Sequence, residues 1–236
     1  CPPTKQGLAS VDAAHLRFAA KSVVFGVAYG RGAKAIAIAS KELGFEITQK
    51  EAQKIIDTLF DTYPGLPGLF AECRNRVTGQ EATGWLCNAF GRFRRFPFTE
   101  DRRLLGEFER QAMNFPIQSM IADAVSRAVD HLYSYRQDLR DQGVGPEELD
   151  YSMCLQIHDQ VNLLAPAEHA ERIIEEVLPE CMVNRVPVYP ADMDGVPFEG
   201  RGPYHLGIDS DLCVRWGVSI TKAECEELGV NPKYGK

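Results

Sequence analysis

The chain has 236 residues, 44% hydrophobic and 25% charged, which argues for a globular protein and against disordered, collagen-like and repeat-array proteins. No apolar run approaches the ~18 residues that a membrane span needs, and seven cysteines without a C-x-x-C pair indicate a reducing compartment. The net charge of −7 hides a basic first half, since residues 1–110 carry 16 Lys and Arg against 12 Asp and Glu.

The first elements along the chain are two helices. A helix is predicted over residues 11–28, with Ser10 as its N-cap and Gly30 beyond its end. A second helix begins with a capping box, because the Thr48 hydroxyl and the Glu51 carboxylate can satisfy two amide donors that the first turn leaves unpaired. That helix ends at a Pro- and Gly-rich cluster.

The middle of the chain combines short and long elements. A short helix is predicted over residues 66–77, and alternating Phe and Arg over residues 84–98 indicate a strand or hairpin. Apolar residues at helical spacing predict a longer helix from about 117 to 141. Two short strands then cover residues 152–157 and 161–165, so His158-Asp159-Gln160 would form the turn between them.

The last part predicts a helix over residues 166–182, a strand near residues 205–216 that rejoins a sheet, and a terminal helix with a capping box at Thr221 and Glu224. The predicted fold class is therefore α+β, rich in helices and with a small antiparallel sheet.

Four side chains on the first helix form a row with the chemistry of a nucleotide site. Arg17, Lys21, Phe25 and Tyr29 follow one another at four-residue intervals and so lie on one face over ~18 Å. Cations neutralise phosphate oxygens and rings stack on a sugar or base, which matches an extended nucleoside triphosphate. The alternative is an amphipathic helix with a solvated basic face and with Phe25 and Tyr29 in the core.

A second four-residue series, Arg110, Asn114 and Gln118, is interrupted by Pro116. Guanidinium and amide groups on one edge can bind sugars and base edges in a minor groove, where acceptors are common to all sequences. The alternative is a solvated start of the following helix.

The third candidate is His158-Asp159 at a strand turn. A carboxylate held rigidly between two strands suits Mg²⁺, which takes few carboxylates and completes its shell with phosphate and water. An Asp at a hairpin tip can instead serve only as a turn residue, because its side chain bonds its own backbone.

The order of these motifs resembles the family A (polymerase I-like) DNA polymerases. The resemblance covers residues 11–189 and includes Arg-x-x-x-Lys-x-x-x-Phe-x-x-x-Tyr-Gly, the Phe-Gly-Arg segment at residues 90–97, Glu-Arg-x-x-x-Asn-x-Pro-Ile-Gln, and Leu-Gln-Ile-His-Asp. It implies an incomplete right-hand polymerase fold. Residues 1–110 would be the fingers, with the nucleotide-binding helix at 11–30, and residues 111–236 the second part of the palm, with an insertion near 191–204 and a C-terminal tail.

The resemblance also implies roles for the row on the first helix. Arg17 and Lys21 would bind the dNTP phosphates, and Lys21 would donate a proton to pyrophosphate. Phe25 would pack beside the sugar and base, and its lack of a hydroxyl implies rejection of dideoxynucleotides. Tyr29 would lie near the templating base. Single-subunit RNA polymerases share the spacing but usually carry Met at the position of Phe25, which favours a DNA polymerase.

The remaining motifs would bind primer-template DNA and metal. By the resemblance, Arg110, Asn114 and Gln118 contact primer-template and His158 lies near the primer end. Asp159 is the metal-binding catalytic carboxylate. Two Mg²⁺ ions are implied, because one would activate the primer 3′-hydroxyl and the other would stabilise the leaving pyrophosphate.

The first palm carboxylate of the family precedes the fingers, and the sequence has only sixteen residues before Arg17. We therefore expect the N-terminal polymerase half, with that carboxylate, the thumb and any exonuclease, to be a separate chain. Since Cys1 rather than Met opens the sequence, we expect intein splicing, another processing event, or a longer polypeptide. The expected location is the cytoplasm of a bacterial or phage-infected cell.

The sequence is also compatible with two alternatives, a non-catalytic nucleic-acid-binding remnant of a polymerase and a fragment similar to single-subunit RNA polymerases. Gln160 stands where many family members carry Glu after His-Asp, so altered primer-end or metal contacts are expected. Retention of the cationic pair together with Asp159 argues against a decayed remnant, which would need neither.

Overall fold

The computed structural model describes residues 20–21, 23–27, 29–42, 44, 46–80, 82–215 and 217–236. Helices predominate, and the strands form two-stranded antiparallel sheets, so the predicted α+β class is confirmed. The chain divides into two compact units. The first unit comprises the residues up to Leu86 and Phe93–Pro116, and the second comprises Cys87–Arg92 and Ile117–Lys236. None of the described helices is long and apolar enough to cross a membrane.

The first unit begins with four helices: α1 (residues 20–21 and 23–27), α2 (Ala33–Glu42), α3 (Gln49–Thr62) and α4 (Leu66–Thr78). The capping box predicted at the start of α3 is confirmed, because the Thr48 hydroxyl accepts from the Glu51 amide and the Glu51 carboxylate accepts from the Thr48 amide. The sequence did not predict α2. Its Ala-Ile alternation looks like a strand, yet Ala33 and Ile36 are buried at helical spacing.

A short hairpin and a 40-residue helix follow. Strands β1 (Trp85–Cys87) and β2 (Phe93–Arg95) pair with each other and fall inside the predicted β-rich stretch. Helix α5 covers Arg102–Asp141. Its predicted end is confirmed, but its predicted start near residue 117 is wrong.

The reason for the early start of α5 lies in its first turn and in its packing. The Asp101 carboxylate accepts from the Arg103 amide at 2.8 Å, which caps the first turn. Pro116 lies inside the helix although proline removes a backbone donor there. The preceding turn buries Ala112 and Met113, and this tertiary packing outweighs the local cost of proline.

The second unit is built around another hairpin. Strand β3 (Ser152–Ile157) pairs antiparallel with β4 (Gln160–Leu164), and Ile157 is opposite Gln160. The turn therefore contains two residues, His158 and Asp159, rather than the three that the sequence predicted. Gln160 belongs to strand β4 because it pairs directly with Ile157 of β3.

The helix after β4 changes its winding along its length. It begins with turns at Ala167–His169 and Ala170–Arg172 and continues as wider π-helical turns at Ile173–Val177 and Pro179–Asn184; together these form α6. Its buried face packs with α5 and the chain before β3, in a core formed by Leu132, Leu149, Tyr151, Ile173, Val177 and Cys181. The Tyr151 hydroxyl in this core donates to the Leu132 carbonyl at 2.6 Å.

Buried His169 ties α6 to the loop before β3. Its Nδ1 accepts from the Asp150 amide at 3.0 Å, and its Nε2 lies 3.2 Å from the Glu147 carbonyl. Because Nδ1 must be the acceptor for an amide, the proton lies on Nε2 and is donated to that carbonyl. Both ring nitrogens are thus bonded to backbone.

The residues beyond α6 form a bent loop and a small terminal subdomain. The loop is closed by bridges between Val188 and Tyr204 and between Ala191 and Pro197. Strand β5 (Cys213–Arg215) pairs with β6 (Val218–Ser219), so within the described residues the strand predicted near 205–216 does not rejoin a larger sheet. Helix α7 (Lys222–Glu227) begins with the predicted capping box at Thr221.

This terminal subdomain packs on α6. Ile220, Cys225 and Val230 are buried together with Ala170 at the start of α6. The Glu171 carboxylate accepts from the Asn231 amide at 2.6 Å, and the Tyr234 hydroxyl donates to Glu175 at 2.6 Å. The end of the chain is therefore part of the second unit's core.

Candidate active site

Helix α1 has one buried apolar face and one face that is exposed to solvent. Val23 and Val27 are buried, whereas Phe25 is 43% and Tyr29 is 42% exposed. Lys21 is exposed on the same side, with its Nζ 5.5 Å from the centroid of the Phe25 ring. The two aromatic residues therefore do not belong to the core of the described chain. Arg17, the first member of the predicted row, lies outside the described residues.

Gly30 ends α1 and sets the position of Tyr29. The Gly30 amide donates to the Val27 carbonyl at 2.8 Å and the Arg31 amide to the Gly26 carbonyl at 2.8 Å, the bond pattern of a Schellman motif. The motif requires a left-handed residue, and Gly30 has a φ of 71°.

The turn at Gly30 also packs tightly against α5. A Cβ atom at this position would lie 2.4 Å from Cε of Met113 and 3.5 Å from Cγ of Arg110. Met113 is buried, and Arg74 donates to its sulfur at 3.7 Å. The structure thus brings the Tyr29–Gly30 turn and Arg110 together within the first unit, a contact that spacing along the sequence did not reveal.

The predicted DNA-binding residues on α5 belong to different units. Arg110, which is exposed, and Asn114, which is half-buried, lie in the first unit. Gln118 is exposed and lies in the second unit with His158 and Asp159. Beside Arg110, the Glu109 carboxylate accepts from the Thr78 hydroxyl at 2.9 Å, which holds this turn of α5 to α4.

The loop between β1 and β2 is fixed to α5 in the second unit. The buried Asn88 side chain donates to Asp123 at 2.7 Å, and Arg92 Nε donates to the same carboxylate at 2.8 Å. These bonds, with the Arg92 contact as the largest cause, hold the pKa of Asp123 below its ordinary value. Asp123 is therefore a charged anchor for the loop that leads into β2.

The β3–β4 turn presents His158 and Asp159 to solvent. His158 has a φ of 52°, a left-handed backbone that non-glycine residues adopt rarely. Such conformations cost about 1–3 kcal/mol and persist only where the surrounding structure fixes them, which the paired ladder on both sides does here. The turn therefore places Asp159 at the tip of the β3–β4 hairpin, where its side chain is exposed.

Asp159 can contribute to a metal site but cannot complete one. Its exposed oxygens are the hard ligands that Mg²⁺ prefers, and Mg²⁺ commonly uses only one or two carboxylates with phosphate and water. Among the residues that the structure describes, no group of three or more His, Cys, Asp and Glu side chains could hold a metal ion. The Asp159 carboxylate thus fits Mg²⁺ as one ligand of its coordination shell.

A profile of DNA polymerase family A matches residues 5–195. The chain belongs to this family. Among family A relatives, DNA polymerase I of Bacillus caldotenax is 30% identical over 179 residues, 74% of this chain and 19% of that protein. The thermostable DNA polymerase I of Thermus aquaticus is 33% identical over 168 residues, 69% of this chain and 18% of that protein.

A solved family A structure has a similar fold. The POL domain of Pol1 from M. smegmatis, in complex with DNA primer-template and dNTP, matches with a TM-score of 0.59 and 25% identity over 78% of this chain and 31% of that one. The resemblance predicted from the motifs is confirmed. The chain spans about a fifth of the curated family A relatives that it matches.

Proposed function

We propose that the chain carries the nucleotide-binding part of a template-directed DNA polymerase. In the reaction, the primer 3′-hydroxyl attacks the α-phosphorus of a dNTP, a new P–O bond forms, and the bond to pyrophosphate breaks. The observation that carries the proposal is the exposed row Lys21, Phe25 and Tyr29, whose end is fixed against Arg110 at Gly30. Membership of family A supports the reaction class.

The row binds the nucleotide from its phosphates to its base. The Lys21 ammonium group pairs with phosphate oxygens next to Arg17 and hands a proton to the departing pyrophosphate. Phe25 packs beside the sugar and base, one helical turn further along. Tyr29 lies at the end of the helix, which Gly30 stops, and would lie next to the templating base.

The residues on α5 and at the β3–β4 turn position primer-template DNA. Arg110, Asn114 and Gln118 donate hydrogen bonds to minor-groove acceptors, which are common to all base pairs. Such contacts check the shape of the duplex without reading its sequence. His158 lies beside the primer end, next to the carboxylate of Asp159.

Asp159 would hold Mg²⁺ together with a carboxylate from outside residues 1–236. Two ions bound there would supply activation of the primer hydroxyl and stabilisation of the charge on pyrophosphate. The pairing of β3 with β4 on both sides of the turn, which positions the backbone of Asp159, supports this role. The second carboxylate and the thumb belong to polymerase segments outside residues 1–236.

Reconstitution tests the proposal. The chain is mixed with the amino-terminal half of a family A DNA polymerase, primer-template, dNTPs and Mg²⁺, and primer extension is followed on a gel. We expect synthesis that neither half performs alone, that Asp159→Ala abolishes and that Lys21→Ala slows about 10²–10⁴-fold. Lys54→Ala, which removes an exposed lysine on α3, is the matched control and should change nothing.

Two outcomes would contradict the proposal. Absence of synthesis from every reconstituted pair would leave a non-catalytic nucleic-acid-binding remnant. Full synthesis by Lys21→Ala would show that α1 does not bind the triphosphate as proposed.

A further inference from the structure

Strand β2 presents two unlike faces. Side chains alternate along a strand, so Phe93 and Arg95 share one face and Arg94 lies on the other. The Arg94 guanidinium donates to Gln111 of α5 and lies 5.4 Å from the centroid of the Phe96 ring. All three residues of β2 are exposed, Phe93 to 57%, but only Arg94 has its guanidinium bonded to Gln111.

The Phe93 ring packs against the side chain of Trp85. Its centroid lies 5.2 Å from that of Trp85 on β1, at an interplanar angle of 57°. The Arg76 guanidinium of α4 lies 5.8 Å from the Trp85 ring. These contacts order an aromatic side chain that is more than half open to solvent, so binding a flat ligand there costs little additional side-chain entropy.

The charge around this ring favours a polyanion. Residues 92–103 carry five arginines against one Glu and one Asp. Arg95 follows Phe93 by two residues, about 7 Å along the strand, so a cation stands beside the exposed ring. A ring with an adjacent cation is the arrangement that binds a base and its phosphate.

The hairpin is also attached to the proposed DNA-binding turn of α5. Gln111, the partner of Arg94, directly follows Arg110, and Arg110 packs against Gly30. All of these residues lie in the first unit. The strand that carries Phe93 and Arg95 is therefore held, through Arg94 on its other face, to the turn of α5 that carries a proposed DNA contact.

We propose that Phe93 and Arg95 form a binding site for single-stranded DNA, with one unpaired base stacked on Phe93 and a phosphate paired with Arg95. An unpaired strand is favoured over a duplex because the faces of duplex bases are stacked on one another and cannot reach the ring. The inference rests on the proposed polymerase function for the nature of its partner. The site is additional to the row on α1 and to the residues at the β3–β4 turn.

Equilibrium binding of the 236-residue chain tests this site. Fluorescence anisotropy is measured with a labelled oligothymidylate and with a labelled blunt-ended duplex, without dNTP, metal or partner polypeptide. Phe93→Ala should weaken binding of the single strand about tenfold and leave duplex binding unchanged, whereas Phe93→Trp should retain both. Arg95→Gln should weaken binding and reduce the salt dependence by about one counterion.

Phe98→Ala is the matched control, since Phe98 is 92% exposed in the loop after β2 and lies outside the stacked pair. It should leave both affinities unchanged, and circular dichroism should show that each variant is folded. Equal losses on single strand and duplex for Phe93→Ala, no loss on the single strand, or an equal loss for Phe98→Ala would overturn the inference.

The outcome is independent of the test of the proposed function. Phe93-dependent binding without any reconstituted synthesis would keep this site and remove the proposed reaction. Synthesis without Phe93-dependent binding would keep the proposed reaction and remove this site.

Discussion

Substitution of Gly30 by alanine should destabilise the first unit more than its backbone conformation alone requires. A left-handed alanine costs about 1–2 kcal/mol. The new methyl group would also lie 2.4 Å from Cε of Met113, which is buried and bonded through its sulfur to Arg74. Overpacking of this kind adds about 1–3 kcal/mol, so the free energy of unfolding should fall by about 2–5 kcal/mol.

Gly143 provides the control for this prediction. It ends α5 in the same bond pattern, with a φ of 84°, and a methyl group at this position would meet no neighbouring atom within 4 Å. Gly143→Ala should therefore cost only the backbone contribution, about 1–2 kcal/mol. Urea denaturation followed by circular dichroism measures both values.

A double-mutant cycle with Met113→Ala separates the packing contribution. Removing the Met113 side chain makes room for the methyl group. The double variant should therefore lose about 1–3 kcal/mol less free energy of unfolding than the two single variants lose together. The reasoning would be refuted if Gly30→Ala cost no more than Gly143→Ala, or if the two changes were additive.

Three further predictions follow from particular contacts. The pKa of Asp123 is lowered in the folded state, so the ionised carboxylate stabilises the fold above the ordinary Asp pKa, and this stabilisation is lost as the pH falls through the lowered pKa. Asp123→Asn should lower the free energy of unfolding by about 1–3 kcal/mol at neutral pH and reduce the fall of the urea midpoint at acidic pH. An unchanged dependence of the urea midpoint on acidic pH would contradict this. His169→Phe should cost about 1–3 kcal/mol and speed hydrogen exchange at the Asp150 amide, which loses its acceptor; unchanged exchange there would exclude the assigned bond. Phe25→Tyr should raise the ratio of dideoxynucleotide to deoxynucleotide incorporation in the reconstituted assay, and a constant ratio would contradict the placement of Phe25 beside the sugar.

Features that depend on neighbours in sequence were predictable. Both capping boxes, at Thr48 and Thr221, are confirmed because their bonds join residues only three positions apart. The hairpin of β3 and β4 was also predicted, since its strands are joined by a tight turn. Family membership followed from the order of motifs, which survives low overall identity.

Features that depend on tertiary packing were not predictable. Pro116 looked like a helix boundary, but burial of the adjacent turn carries α5 through it. The contact of Gly30 with Met113 joins residues more than eighty positions apart, and no spacing rule reaches that far. Trp85 was missed because its role as the support of Phe93 arises only when β1 and β2 pair. The roles assigned to the site residues and the fingers and palm boundaries stay predictions.

The packing of the last residues on α6 determines where a shortened fragment of this protein should end. The family profile ends at residue 195, and trimming there would follow sequence similarity. Ile220, Cys225 and Val230 would then be removed from the core that they share with Ala170. The hydrophobic surface exposed by this truncation would promote aggregation. Protein engineers who want a soluble second unit should therefore choose its borders by shared burial and not by homology.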